Sequence, residues 1–192
     1  MRNSNKWLAA ICFAALAGCS STTGASVMTG GHDGHGQHAE PAAPLAAKAN
    51  IINGKGETIG MAEFAETPAG VQIRLQVSGL TPGIHGFHIH AKGKCDIPDF
   101  KTAGDHFNPQ MKKHGFHNPQ GPHAGDLPNI NVGSDGKATA EAIDKRVTLV
   151  RGKPNSLLNS EGTSLVIHAD PDDYQTDPAG NSGARVACGV IG

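Results

Sequence analysis

Val71, Ile73, Leu75 and Val77 alternate with Gln72, Arg74, Gln76 and Ser78. On an extended chain alternate side chains share a face, so this stretch is a strand with one face buried and one in water. Such a strand is stable only when other elements cover its apolar face. Further strand candidates lie at 49–52, 58–64, 84–90, 137–143, 147–150, 164–168 and 185–191. Turn signals such as Gly54-Lys55-Gly56 and Thr81-Pro82-Gly83 separate them, and no segment has helical periodicity. With 26 Gly and 12 Pro in 192 residues, the expectation is one all-β domain, an eight-stranded antiparallel barrel or sandwich. The net charge is −1, and no basic stripe or aromatic platform offers a surface for nucleic acid.

The N-terminus reads as targeting rather than fold. Arg2 and Lys6 precede an uncharged apolar run over 7–17 that is too short to span a bilayer. The run ends in Leu16-Ala17-Gly18-Cys19-Ser20, which resembles the bacterial lipobox, where the cysteine becomes the lipid-bearing first residue. Residues 1–18 are therefore expected to be a lipoprotein signal peptide and Cys19 a membrane anchor. Ser20 favours the outer membrane of a Gram-negative cell, which places the protein in the periplasm. Loss of Arg2 and Lys6 leaves 14 basic against 17 acidic residues, a balance of −3. It also leaves Cys95 and Cys188 besides the lipidated cysteine. In an exported domain these two are expected to pair, for a stabilisation of about 4–5 kcal/mol on the chain-entropy model.

Residues 19–46 are rich in Ser, Thr, Gly, Ala and Pro and have no apolar periodicity, so they read as a flexible tether. Its reach would be on the order of 30 Å. His32, His35 and His38 recur in it among glycines, a composition suited to weak, adaptable capture of copper. The folded domain is expected over 47–192.

Within that domain, His88 and His90 share one face of the 84–90 strand, with Phe87 and Ile89 on the other. Residues 91–136 and 169–184 are too long and irregular to be turns, and long loops in a small domain are usually functional. The first carries His106, His114, His123 and Asp126, and the second follows a strand ending in His168. Six histidines and one carboxylate can fill two metal sites if one imidazole serves both. Imidazole suits copper and zinc, and an Asp oxygen is an ordinary zinc ligand. A loop held by its own metal would need no further core. His85 lies off the ligand face and is expected to be a structural hydrogen-bonding residue. His117 is expected at the surface.

His85-Gly-Phe-His88-Ile-His90, Ala103-Gly-Asp-His106-Phe-Asn-Pro109, His123-Ala-Gly-Asp126-Leu and Gly183-Ala-Arg185-Val-Ala-Cys188-Gly-Val-Ile together resemble the copper,zinc superoxide dismutases. The lipobox, the His-rich arm and the compact second loop resemble the bacterial periplasmic branch. The resemblance implies an eight-stranded Greek-key barrel with two long functional loops. It also implies dismutation of superoxide, one copper and one zinc per subunit, and leaves a homodimer open. Copper would be held by His88, His90, His106 and His168, and zinc by His106, His114, His123 and Asp126, with His106 as the bridge. Asp172 would join a copper-ligand histidine to a zinc-ligand one, Cys95–Cys188 would pin the long loop to the last strand, and Arg185 would sit beside copper.

The chain departs from the animal enzymes in its second loop. Residues 169–184 carry Asp170, Asp172, Asp173 and Asp177 but no lysine, and Ala179 stands at the position of a channel threonine. Substrate attraction is therefore expected to draw on Lys101, Lys112 or Lys113. Two other functions compete. A zinc hydrolase would need an open coordination position, which a set filled by four protein ligands does not leave. A non-catalytic copper- and zinc-binding or delivery protein would be expected to lose copper ligands or Arg185, and none is missing.

Overall fold

The computed structural model describes residues 45–192. The expected signal peptide, Cys19, and His32, His35 and His38 of the expected tether lie outside the described residues. Nine strands are present among the described residues: β1 Ala46–Asn53, β2 Thr58–Thr67, β3 Gly70–Val77, β4 Gly83–His85, β5 Phe87–His90, β6 Ile130–Val132, β7 Ala138–Asp144, β8 Thr163–His168 and β9 Arg185–Ile191. Ala46 already pairs with Ala65, so the fold begins one residue earlier than expected. Seven strands form one antiparallel sheet in the order β5-β8-β9-β1-β2-β3-β7, and β4 pairs with β6.

The alternation in β3 does what the sequence implies. Val71, Ile73, Leu75 and Val77 are buried, while Arg74 reaches across to Glu141 on the outer face. Ala47, Ala49 and Ile51 of β1, Ala62 and Phe64 of β2, and Leu165 and Ile167 of β8 enter the same core. One core fed from both ends of a seven-stranded order requires the sheet to curl onto itself. The 6-residue β8 is buried at every position, because its outer face is covered as well. The cover is a second apolar cluster of Phe100, Ala103, Val166 and Cys188.

That second cluster corrects one expectation. The first long loop is not held by metal ligands alone; Phe100 and Ala103, at a short 3-10 turn over Lys101–Ala103, anchor it by apolar burial. A disulfide joins Cys95 in the loop to Cys188 in β9, with Cα atoms 5.7 Å apart. The loop also satisfies the edge of β5: Ile89 N donates to Gly125 O and Phe107 N donates to Ile89 O, both at 2.8 Å. A Cβ on Gly125 would lie 2.2 Å from that Ile89 carbonyl oxygen, which explains glycine there.

Three strand readings need correction. The 84–90 candidate is two strands, because at Gly86 the backbone leaves the β4–β6 pair and joins β8. Gly86 donates to Asp170 O, and a Cβ there would meet Ser182 at 2.8 Å. Residues 147–150 are not a strand beyond a single bridge of Thr148 to Ser156. Val147 and Leu149 are buried, but the Glu66 carboxylate accepts from Thr148 Oγ1 and Leu149 N in place of a neighbouring strand. Ile130–Val132, inside the stretch read as strandless, forms β6; three residues are too few to show a period.

The disulfide closes a separation of 93 residues. Cys95→Ser is expected to destabilise the fold by up to about 4–5 kcal/mol, lowering the thermal midpoint and weakening zinc retention. Calorimetry with a chelator titration checks this, and two free thiols by intact mass in the native protein would refute the pairing.

Candidate metal centre

β5 and β8 set the floor of the site. On β5, Phe87 and Ile89 enter the core and His88 and His90 point to the opposite face. The loop brings His106 opposite His90 and Asp126 opposite His88 in two isolated antiparallel bridges. β8 contributes His168 at its end. As a result, ligand atoms of His88, His90, His106 and His168 lie within 4.8 Å of one another, as do those of His106, His114, His123 and Asp126. All seven residues are buried.

The hydrogen bonds select which ring nitrogen is left for a metal. His88 Nε2 donates to Asp172 Oδ2 at 2.7 Å, and its buried Nδ1 has no partner. His90 Nδ1 donates to Gly104 O at 2.8 Å, leaving its Nε2 3.4 Å from His168 Nε2. His106 Nε2 is likewise buried and without a partner. Buried polar atoms with no partner are rare, and these face one another. A cation accepting the lone pairs of His88 Nδ1, His90 Nε2, His106 Nε2 and His168 Nε2 satisfies all of them.

The other side of His106 is equally specific. Asp126 Oδ1 lies 2.9 Å from His106 Nδ1, 3.1 Å from His114 Nδ1 and 3.3 Å from His123 Nδ1. His123 Nδ1 is 3.5 Å from His106 Nδ1. A tetrahedron with zinc–ligand bonds of about 2.0–2.1 Å has edges of about 3.3 Å, so these spacings fit zinc. Asp126 Oδ2 accepts from Gly115 N and His123 N, which orients the carboxylate. His106 alone offers one nitrogen to each cluster.

Asp172 connects the two groups. Its Oδ2 accepts from His88 Nε2, and its Oδ1 accepts from His114 Nε2 at 2.9 Å and from Tyr174 N. Asn129 clamps its backbone reciprocally, accepting from Asp172 N and donating to Asp172 O, both at 2.9 Å. Tyr174 Oη accepts from Asn129 N, and Arg146 donates to Asp126 O while paired with Asp144. Asn129, Tyr174 and Arg146 were not foreseen. Tyr174 is the only tyrosine in the chain and lies two residues after Asp172, the one hint the sequence held.

Electrostatics differ between the two halves. Burial lowers the pKa of His88 and His90, and brings His106 down to about 4 and His168 to about 3. Those imidazoles are neutral at physiological pH, as metal ligands must be. Burial opposes charge on His114 too, but its hydrogen bonds to the Asp126 and Asp172 carboxylates prevail and raise it to about 9. Burial also opposes ionisation of Asp126, yet its His106, His114 and His123 contacts hold the carboxyl far below the usual range.

Arg185, the first residue of β9, donates to Phe100 O at 2.8 Å and Gly104 O at 2.6 Å. It lines a cavity of about 820 Å³ with His90, His106 and His168. His85 is indeed structural: its ring nitrogens lie 2.7 Å from His168 O and 2.8 Å from Thr81 O. His117 is exposed and edges against Tyr174.

A curled antiparallel sheet with two abutting ligand clusters sharing one imidazole defines a two-metal β-barrel protein. The family model described as copper/zinc superoxide dismutase (SODC) matches residues 58–191. The chain is 55% identical over 148 residues to superoxide dismutase [Cu-Zn] 1 of Aquifex aeolicus, covering 77% of this chain and 88% of that one. It is 47% identical to the superoxide dismutase [Cu-Zn] of Caulobacter vibrioides, covering 76% and 84%. Among solved structures, a double mutant of a superoxide dismutase-like protein from Bacillus subtilis aligns with a TM-score of 0.73 at 45% identity, over 74% of this chain and 95% of that one. This chain belongs to the copper/zinc superoxide dismutase family.

Asp172→Asn preserves shape but removes the charge shared by His88 and His114. Loss of such a partner typically costs 10- to 100-fold in metal affinity, and a fall of that size is expected for zinc. Competition against a chelator on the soluble domain measures it.

Proposed function

We propose that this protein dismutates superoxide to dioxygen and hydrogen peroxide. The observation that carries the proposal is His106, whose two ring nitrogens face separate buried ligand sets, while Arg185 shares an open cavity with His90 and His168 of the first set. Copper is assigned to His88, His90, His106 and His168, and zinc to His106, His114, His123 and Asp126. When bound, copper supplies a one-electron couple that oxidises one superoxide and reduces the next, and zinc supplies fixed positive charge without redox chemistry.

The residues do the rest. Arg185 remains cationic at neutral pH although burial lowers its pKa, and its two carbonyl contacts aim the guanidinium at the cavity, where it docks a small anion. Peroxide formation consumes protons. His106 Nε2 can hold one when it is not ligating and hand it to an anion docked at Arg185. Asp172 keeps His88 and His114 in fixed tautomers while this happens. A protein that merely stored or delivered metal would need neither the cavity nor Arg185 at its wall.

The protein is further proposed to be an envelope lipoprotein, cleaved before Cys19, anchored to the outer membrane and facing the periplasm, with residues 19–46 as tether. The Leu16-Ala17-Gly18-Cys19 pattern after an apolar run supports this reading. His32, His35 and His38 are read as a weak copper-capturing arm. A homodimer is the oligomeric state to test by ultracentrifugation.

Metal analysis with a superoxide assay on the soluble domain tests the activity; a fully metallated protein no more active than chelated copper would overturn it. His106→Ala is expected to lower both copper and zinc content, whereas His114→Ala lowers zinc first. Retention of both metals by His106→Ala would refute the shared imidazole. Cys19→Ala is expected to move the protein from the membrane to the soluble fraction on cell fractionation.

A further inference from the structure

The contacts around the start of β1 trace a short path across one end of the barrel. Glu66 N donates to Leu45 O, and the Glu66 carboxylate accepts from Thr148 Oγ1 and Leu149 N. The point where the chain enters the fold is thus tied through one residue to the loop that follows β7. That loop is pinned at its base, since Thr148 N donates to Asn155 O and Leu157 N donates to Thr148 O. Its tip, Val150-Arg151-Gly152-Lys153-Pro154, is exposed throughout. Between the tip and the Thr67–Gly70 turn lies a cavity of about 550 Å³, with Lys145 and Lys153 in its wall.

The unpaired charges on these segments have one sign. Lys145, Arg151 and Lys153 are exposed and have no acidic partner among the described residues. The acids of the same segments are already engaged, Glu66 by Thr148 and Leu149, and Asp144 by Arg146. Glu161, the next acid along the chain, lies beyond the pinned loop, where its carbonyl accepts from Gly93 N. Val150 adds an exposed apolar side chain beside Arg151. The Gly133–Gly136 turn marks the opposite end. β7 runs there antiparallel to β3, from Ala138 against Val77 to Asp144 against Val71, a span of about 20 Å.

We propose that this end of the barrel, through Lys145, Arg151 and Lys153, docks on anionic phospholipid headgroups of the membrane that holds Cys19. This rests on the lipoprotein reading given above and adds to it the orientation of the domain. The 25 residues between Cys19 and Leu45, as a coil, reach on the order of 30 Å, comparable with the breadth of a domain of this size. The end at which such a chain enters is the end it holds toward the lipid, and that end carries the unpaired cations. Each cation near an anionic surface favours contact by about fivefold, so three give a preference on the order of 100-fold. Docking in this way leaves the metal cavity clear. Thr163, whose Oγ1 donates to Leu157 O, lies at the docked end of β8, and His168 closes the strand about 17 Å further on.

The test uses the mature lipidated holoprotein in vesicles, with a fluorescent donor on the protein and acceptors at the headgroups. Cys95 and Cys188 are joined to each other, so a single added thiol takes the label. Ala69→Cys places the donor in the β2–β3 turn at the docking end, and Ser134→Cys places it at the opposite end; both positions are exposed. The ratio of energy transfer from position 69 to that from position 134 is expected to be several-fold higher on phosphatidylglycerol than on phosphatidylcholine. Salt near 1 M, where screening acts within about 3 Å, is expected to return the ratio to its phosphatidylcholine value. Lys145→Glu, Arg151→Glu and Lys153→Glu combined should do the same at low salt, with metal content unchanged. Equal ratios on the two lipids overturn the proposal. So does a raised ratio that survives in the triple variant, which would mark some other surface as the one that meets the lipid. Protein that floats with neither vesicle defeats the lipoprotein reading, and the docking with it.

Discussion

Asp126 and Asp172 are two carboxylates buried within one small volume, at 0% and 3% exposure. Buried charges are tolerated only when paired and hydrogen-bonded. Everything around them answers that requirement. Gly115 N, His123 N, Tyr174 N and five imidazole contacts surround the oxygens, and His114 lies between the two carboxylates with a nitrogen on each. The two carboxylates raise its pKa, so positive charge is favoured between them. A divalent cation held by His114 and Asp126 would meet the same electrostatic need with a larger charge.

The barrel contributes rigidity by an unusual route. β5 and β8 are buried on both faces: the main core lies beneath both, Phe100 and Ala103 of the first loop pack with Val166 of β8 above, and the ligand-bearing loop covers His88 and His90 of β5. Ligands on such strands cannot drift. The edge of β5, which an open sheet would expose, is hydrogen-bonded by Phe107 and Gly125, the neighbours in sequence of His106 and Asp126. Ligand placement and edge protection are thus the same few backbone contacts.

Most of this was legible from residue spacing. Alternation located β1, β2, β3, β7, β8 and β9 within a few residues, because each buries one face or lies against a long apolar partner. It failed at 147–150, where alternation reports burial but not a partner strand, and at Ile130–Val132, which is too short for a period. It ran through Gly86 because nothing local announces that two halves of one extended stretch serve different sheets. The candidate ligands could be picked out because imidazoles and an aspartate recur in motif order. Asn129 and Arg146 were not, since they act through backbone atoms of Asp172 and Asp126, a contact that only the folded loop creates.

One carbonyl oxygen links the two roles of the open cavity. Gly104 O accepts from both His90 Nδ1 and Arg185 Nη2. Each donor weakens the oxygen available to the other. Neutralising Arg185 would therefore do more than remove a docking charge: it would return the full acceptor to His90, making that imidazole more electron-rich and altering the redox couple it helps to set. Kinetic losses in Arg185 variants are composite quantities, and the midpoint potential of the same variants is needed to separate the docking contribution from the ligand's basicity.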